Sequence, residues 1–216
     1  MNRLSDRLQI IAKMVSPGRR VADVGTDHAY VPIELVGSGK CPYALAMDIK
    51  KGPLEAAAGH ISEEGLGSRI ECRLSDGLEQ YTCGEADSFI IAGMGGELIV
   101  RILADGIGKL ADGNELVLCP HTHVREVREF LCGNGFEITD EEMVCEDGKF
   151  YSVIQCVFHS DRRQYILNDT ELDFGRILIQ KKHPVLIKYL DKEEKKFEDI
   201  GRYLERISET KKLITE

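Results

Sequence analysis

The sequence predicts an α/β fold: a doubly wound, seven-stranded sheet ending in an antiparallel hairpin, followed by a helical extension. Three observations carry this. Short apolar runs alternate with helical stretches from residue 21 to 133, which is the pattern of βαβ units and a parallel sheet. Two strand-like runs, 136–145 and 150–158, flank Asp147-Gly148, a hairpin turn signal. From 186 to 214, positions spaced 4-3-4-3 carry Leu186, Leu190, Glu193, Phe197, Ile200, Leu204, Ile207, Lys211 and Ile214, a heptad seam with two polar seats.

The elements follow in order. Leu4, Leu8, Ile11 and Val15 share one face of a helix over 4–15, which Pro17-Gly18 ends. Val21–Val24 is a first strand, and a helix follows at 31–39. Ala44–Met47 is a second strand ending at Asp48, followed by a helix at 53–64. Ile70–Leu74 is a third strand ending at Ser75-Asp76-Gly77. Ser88–Ala92 is a fourth, stopped by Gly93-Met94-Gly95-Gly96, with a helix at 97–105. Glu115–Cys119 is a fifth, before a helix at 123–133. Continuously apolar strands suit burial on both faces. His183-Pro184 opens a helix over 184–213, and 166–182 reads as a shorter helix that packs beside it as a helical hairpin. Two units are therefore expected, a Rossmann-like α/β domain at 1–160 and a helical extension at 161–216.

Composition narrows the function. The chain has 216 residues, 43% hydrophobic and 30% charged, so it is globular. The formal charge is −9, which by itself disfavours a nucleic-acid binder. Resolved along the chain, residues 1–20 carry +4, 162–216 carry +2 and 21–161 carry −15. A polyanion would meet the ends and not the middle. Seven cysteines with no C-x-x-C pair support neither a disulfide framework nor a zinc ribbon. The N-terminus has no secretory apolar core and no run of 18 apolar residues exists, so a cytoplasmic protein without membrane contact is expected.

In an open parallel sheet, ligands bind beyond the carboxyl ends of the strands. Here those ends carry Asp23, Gly25, Thr26, Asp27 and His28, then Asp48 and Ile49, then Ser75, Asp76 and Gly77, then Ala92 and the glycine cluster. Gly25 permits a tight turn against a ligand. Asp48 lies 25 residues after Asp23, suited to the ribose hydroxyls of an adenosine cofactor. Asp76 can accept from an adenine amino group. The first loop is not G-x-G-x-x-G, because Asp27 occupies the place of a second glycine. A carboxylate there repels a pyrophosphate and attracts the amine and sulfonium of S-adenosylmethionine (AdoMet). AdoMet is therefore preferred over NAD.

The segments Val21–Pro32, Met47–Leu54, Ser75–Leu78 and Ile91–Gly96, with their G-T-D-H-A-Y and A-G-M-G-G strings, resemble the TrmK family of bacterial tRNA methyltransferases, which modify N1 of adenine 22. The resemblance covers most of the chain. It implies a class I, Rossmann-like methyltransferase fold, an AdoMet site at these strand ends and a tRNA substrate. Two departures stand out: Cys119 where the family usually has Gln before the proline, and His60 where it usually has Asn. Met94, Gly95 and Gly96, with Gly93, occupy the place where such enzymes contact the target base, and Tyr30 is the candidate stacking platform. Packing of Tyr30 at a helix start is the competing reading.

Further alternatives stay open. Asp23 can orient backbone amides of the first loop. Cys119-Pro120-His121-Thr122-His123 looks like a metal cluster, but without a nearby acid it reads better as a substrate-facing loop and helix cap, with no metal. Lys188, Lys192, Lys195, Lys196, Arg202 and Arg206 of the last helix, with the basic N-terminal helix, are the expected tRNA contacts of a monomer. The competing functions are an AdoMet methyltransferase of a small molecule or protein, and a non-enzymatic coiled-coil interaction protein.

Overall fold

The computed structural model describes residues 4–215, with the side chains at 198, 199 and 202–215 outside what it describes. Seven strands form one sheet in the order β3-β2-β1-β4-β5-β7-β6. They are β1 Val21–Val24, β2 Ala44–Asp48, β3 Ile70–Leu74, β4 Ser88–Met94, β5 Glu115–Pro120, β6 Phe136–Glu146 and β7 Lys149–Phe158. The first five pair in parallel, and β7 runs antiparallel to both β5 and β6. The chain winds outward from β1 to β3, then returns to the other side of β1 with β4. That reversal opens a crevice at the carboxyl ends of β1 and β4.

The helices are α1 Asp6–Met14, α2 Tyr30–Gly37, α3 Lys51–Glu63, α4 Gly96–Gly106, α5 Val124–Gly133, α6 Asp169–Phe174, α7 Arg176–Gln180 and α8 Pro184–Thr215. Alternate strand residues face opposite layers, as the two-residue period of a strand requires. Val21, Ala44, Ala46, Ile90 and Val117 pack with α1, α2 and α3. Ala22, Leu45, Met47, Phe89, Ile91 and Leu118 pack with α4 and α5. Burying such a side chain contributes about 1.5–3 kcal/mol, so the central strands anchor everything their ends display.

Two expectations about the extension fail. The 166–182 segment is not one helix. It breaks at Gly175, which has φ +86°, a value that L side chains rarely adopt. A Cβ there would stand 2.6 Å from Oε1 of Glu141. Glu141 is buried with Arg128, at 2.8 Å, and also accepts from the Ile177 amide at 3.0 Å. Arg128 in turn donates to the carbonyls of Leu172 and Asp173. The buried pair needs the backbone close by, and only a glycine gives the room.

Nor does that segment cover the heptad seam. Leu186 is buried with Leu178 and Met143, beside Phe150 and Tyr189. Beyond this first contact Leu190 is 38%, Phe197 66% and Ile200 42% exposed. The 4-3 spacing sets a stripe on one helix, but whether a neighbour lies against it depends on where the chain turns. The side chains of Leu204, Ile207, Lys211 and Ile214 of the seam, and of Arg202 and Arg206 of the basic face, lie outside what is described.

Two of the five basic residues at the N-terminus are paired with acids within the fold. Arg7 pairs with Glu146 at 3.4 Å, and its guanidinium stands 5.2 Å over the Tyr151 ring. Arg20 binds Asp87 at 2.7 Å, and Arg19 donates to the Gly113 carbonyl at 3.3 Å. Lys13 is exposed and forms no ion pair among the described residues, while Arg3 lies outside them. Among the described residues no helix is long and apolar enough to cross a membrane.

Candidate active site

The first loop hangs from the second strand. The amides of Gly25 and Thr26 both donate to the Met47 carbonyl, at 2.8 and 2.9 Å. The loop then turns through positive φ at Gly25 (+79°), Asp27 (+52°) and Ala29 (+58°) before α2 starts at Tyr30. A Cβ at Gly25 would lie 2.7 Å from the Met94 methyl group, so the glycine lets the Met94 side chain pack close against the first loop.

Asp23, at the carboxyl end of β1, is buried and accepts from the Thr26 hydroxyl at 2.7 Å. Its partner is thus a side chain and not the loop amides. Burial pushes its carboxyl up to about 7, the Asp48 charge adds to this, and the Thr26 hydrogen bond opposes it. Asp48 accepts from the amide of Asp27 at 3.3 Å and that of Lys50 at 2.9 Å. One carboxylate therefore ties the first loop to the start of α3. A carboxylate has about four acceptor positions, so Asp48 keeps capacity for a ligand's hydroxyls.

At the end of β3, Ser75 is buried and shapes its own turn. Its hydroxyl donates to the Gly77 carbonyl at 2.9 Å and accepts from the Gln80 amide at 3.1 Å. Asp76 pairs with Arg101 of α4 at 2.9 Å. Ile49 is exposed on the rim.

These parts line one cleft of about 550 Å³, within the range of small-molecule sites. Asp23, Gly25, Thr26, Asp27 and His28 line it, as do Tyr30, Asp48, Ile49, Ser75, Asp76 and Gly77. From β4 come Ala92, Gly93 and Met94. Gly93, at φ +80°, sits in a register shift between Ala92 and Met94 against β5.

Gly95 and Gly96 lie outside that lining. A Cβ at Gly96 would meet the carbonyl oxygens of Thr122 and His123 at 2.5 and 2.6 Å. The Gly96 amide donates to the same Thr122 carbonyl at 2.9 Å. This glycine lets α4 start tight against the loop after β5, which is a packing role. The glycine cluster thus divides between cleft wall and helix seat.

Sequence reasoning missed several cleft residues. Arg7 and Leu8 arrive from α1, and Leu98 and Arg101 from α4. No local motif marks them, because they reach the cleft by tertiary packing. His121 also lines it, with its ring against Tyr151 at 5.3 Å. Burial, with the Arg7 and Lys149 charges, holds His121 below the usual histidine range. The next histidine of the C-P-H-T-H string points elsewhere: His123 bonds the Thr122 hydroxyl at 3.0 Å and faces Glu97 at 3.6 Å.

Tyr30 begins α2 at the cleft mouth, 36% exposed. Its ring lies beside those of His28 and His60, at 5.4 and 5.3 Å between centroids.

A methyltransferase-domain family model matches residues 4–154. The chain is 35% identical over 212 residues to the tRNA (adenine(22)-N(1))-methyltransferase of Bacillus subtilis strain 168, covering 96% of this chain and 88% of that protein. It is similar to the crystal structure of the B. subtilis m1A22 tRNA methyltransferase TrmK, with a TM-score of 0.83, 35% identity and coverage of 94% and 88%. It is similar also to Streptococcus pneumoniae Sp1610, solved in complex with S-adenosyl-L-methionine, with a TM-score of 0.84, 37% identity and coverage of 91% and 90%. M. capricolum TrmK in complex with S-adenosyl-homocysteine gives a TM-score of 0.79 at 31% identity, covering 91% and 86%.

Proposed function

The chain belongs to the TrmK family of tRNA methyltransferases, and from that premise we propose that it methylates N1 of adenine 22 in tRNA, with AdoMet as methyl donor. The observation that carries this reading is the carboxylate-lined cleft at the reversal point of the sheet.

The residues present fit that donor. Only a glycine at position 25 lets the Met94 methyl group lie this close to the first loop, and both residues line the cleft. The acids at three strand ends suit a ligand that is a cation at one end and a nucleoside at the other. Asp48 would hold the ribose hydroxyls, with Ile49 against the nucleoside, and Asp76 would accept from the adenine amino group. Ser75 and Gly77 shape the turn that presents Asp76. Asp23 and Asp27 would balance the ammonium group, with Thr26 and His28 completing that wall. When bound, AdoMet supplies an electrophilic methyl group on a sulfonium centre.

The target nitrogen has an in-plane lone pair and needs no base to act as a nucleophile. The protein's task is then orientation and charge balance. Tyr30, beside the cleft mouth, would stack the unpaired base, and Gly93 and Met94 would form the wall next to it. Residues 1–160 carry these parts. Residues 161–216 would hold the tRNA, chiefly through Lys188, Lys192, Lys195 and Lys196, which are exposed along α8.

Incubating unmodified tRNA with labelled AdoMet, followed by nucleoside analysis and mapping, tests the reading. One 1-methyladenosine per tRNA at position 22 is expected. Absence of 1-methyladenosine from every tRNA tried would overturn it.

A further inference from the structure

We propose that Arg101 is a positioning residue for the cofactor's base: it holds the Asp76 carboxylate in the orientation that accepts from the adenine amino group of AdoMet. This rests on the reading above that Asp76 meets that amino group, and adds the residue that presets it.

Asp76 stands in the turn after β3 and Arg101 on α4. Nη2 of Arg101 donates to Oδ1 of Asp76 at 2.9 Å. Among the described residues this is the only hydrogen bond that either side chain makes.

The backbone of the turn does not need this contact. Gly77 has φ +54°, and a Cβ there would lie 3.0 Å from Cγ1 of Ile102, so the turn already sits directly on α4. The Ser75 hydroxyl closes the turn from within, between the Gly77 carbonyl and the Gln80 amide. Lys109, in the 3-10 turn Ile107–Lys109 that follows α4, donates to the carbonyls of Leu78, Glu79 and Tyr81 at 2.8, 2.5 and 3.1 Å. What these contacts leave free is the Asp76 side chain, and that is what Arg101 fixes.

The choice of partner is specific. Asp105 lies one helical turn after Arg101, the spacing at which a surface arginine finds a local acid. Asp105 takes part in no ion pair among the described residues, and Arg101 reaches across to Asp76 instead. With Gly77 and Ile102, the pair lines both the cofactor cleft and an adjoining recess of about 440 Å³. The ion pair is therefore part of the wall between the two.

An ion pair exposed to this degree, 52% and 36% by side chain, adds little to stability. Its effect is on geometry. A lone carboxylate on a loop samples several rotamers, and a bound ligand must freeze one of them. A carboxylate tied to a guanidinium is frozen beforehand, so less freedom is lost when the ligand arrives. The guanidinium uses one of about four acceptor positions and leaves the rest. Arg101 itself has no acceptor, so it acts on the amino group only through Asp76.

The test is calorimetric and needs no turnover. The probes are S-adenosylhomocysteine and its purine-riboside counterpart, which lacks only the 6-amino group. Full-length wild type should prefer S-adenosylhomocysteine by about tenfold or more. Arg101→Met should lose about threefold to tenfold in affinity for S-adenosylhomocysteine, while the purine counterpart stays within about twofold. Arg101→Lys, which again offers a charged donor, should recover part of the preference. In an Asp76→Ala background, Arg101→Met should have no further effect. The denaturant midpoint should barely move in either arginine variant, and Arg101→Ala replaces Arg101→Met if that protein does not fold. An equal loss for both probes in Arg101→Met, or an unchanged preference, overturns the positioning role and leaves the Asp76 assignment intact. Equal binding of both probes by wild type removes the Asp76 assignment and this inference with it. Failure of wild type to bind S-adenosylhomocysteine at all removes the AdoMet site.

Discussion

Asp23 accepts the Thr26 hydroxyl at 2.7 Å with both residues buried at the carboxyl end of the first strand. A carboxyl group in that seat is hard to ionise, and its value rises from 3.8 to about 7. The folded state then holds the proton more tightly than the unfolded chain. The associated stability is fully present below about 3.8 and is lost as pH rises toward 7. Thermal unfolding of the free protein should show that decline, and Asp23→Asn should flatten it. AdoMet affinity should move oppositely and tighten as pH rises through 7, because the ionised carboxylate balances the ligand's cation. An AdoMet affinity in wild type that is flat between pH 6 and 8 would count against Asp23 as the ammonium's counter-charge.

Asp48 joins the Asp27 and Lys50 amides and keeps acceptor capacity for a ribose. Asp48→Ala should weaken AdoMet by about 1–3 kcal/mol, the usual cost of unpaired buried polar groups. Calorimetry reads this directly. Asp48→Asn keeps one oxygen for the amides and should lose less; unchanged affinity in the alanine variant would refute the ribose assignment.

Gly96 and Gly93 should respond differently to alanine. At Gly96 the new Cβ meets two carbonyl oxygens closer than 3 Å, and backbone cannot swing aside. The expected loss is about 1–3 kcal/mol of stability, read by denaturant unfolding. At Gly93 the space is open and only the φ of +80° is strained, for a cost of about 1 kcal/mol. Its effect should instead fall on turnover, since Gly93 lines the cleft. Equal stability loss in the two variants would contradict this division.

Lys188, Lys192, Lys195 and Lys196 are exposed along α8, although Lys192 reaches the Gly148 carbonyl and Lys196 stands 3.5 Å from Glu193. Replacing all four with glutamine should raise KM for tRNA several-fold. It should also reduce the salt dependence of binding, because fewer counterions are released. AdoMet affinity should not change. An unaltered salt slope would place the tRNA on another surface.

Much of this protein was written in local pattern. The succession of strands and helices followed from apolar runs at regular spacing, and the hairpin from Asp147-Gly148 between two extended runs. Asp23, Asp48 and Asp76 could be assigned to one site because parallel strands all end on the same edge of a sheet. Those rules need only neighbours in sequence and the geometry of the backbone. Tertiary structure decided what depends on residues far apart in the chain. Arg7 and Arg20 are basic in sequence, yet Glu146 and Asp87 neutralise them in the fold. Gly96 looked like part of the site until the Thr122 and His123 carbonyls appeared beside it. The 166–182 segment reads as one helix, and the buried Arg128–Glu141 pair breaks it at Gly175. His60 stood out only as a departure from a family pattern; the fold sets it against the His28 carbonyl and the Tyr30 ring. Periodicity reports which face of an element is apolar, but partners are set by close packing, and close packing exists only once the chain has folded.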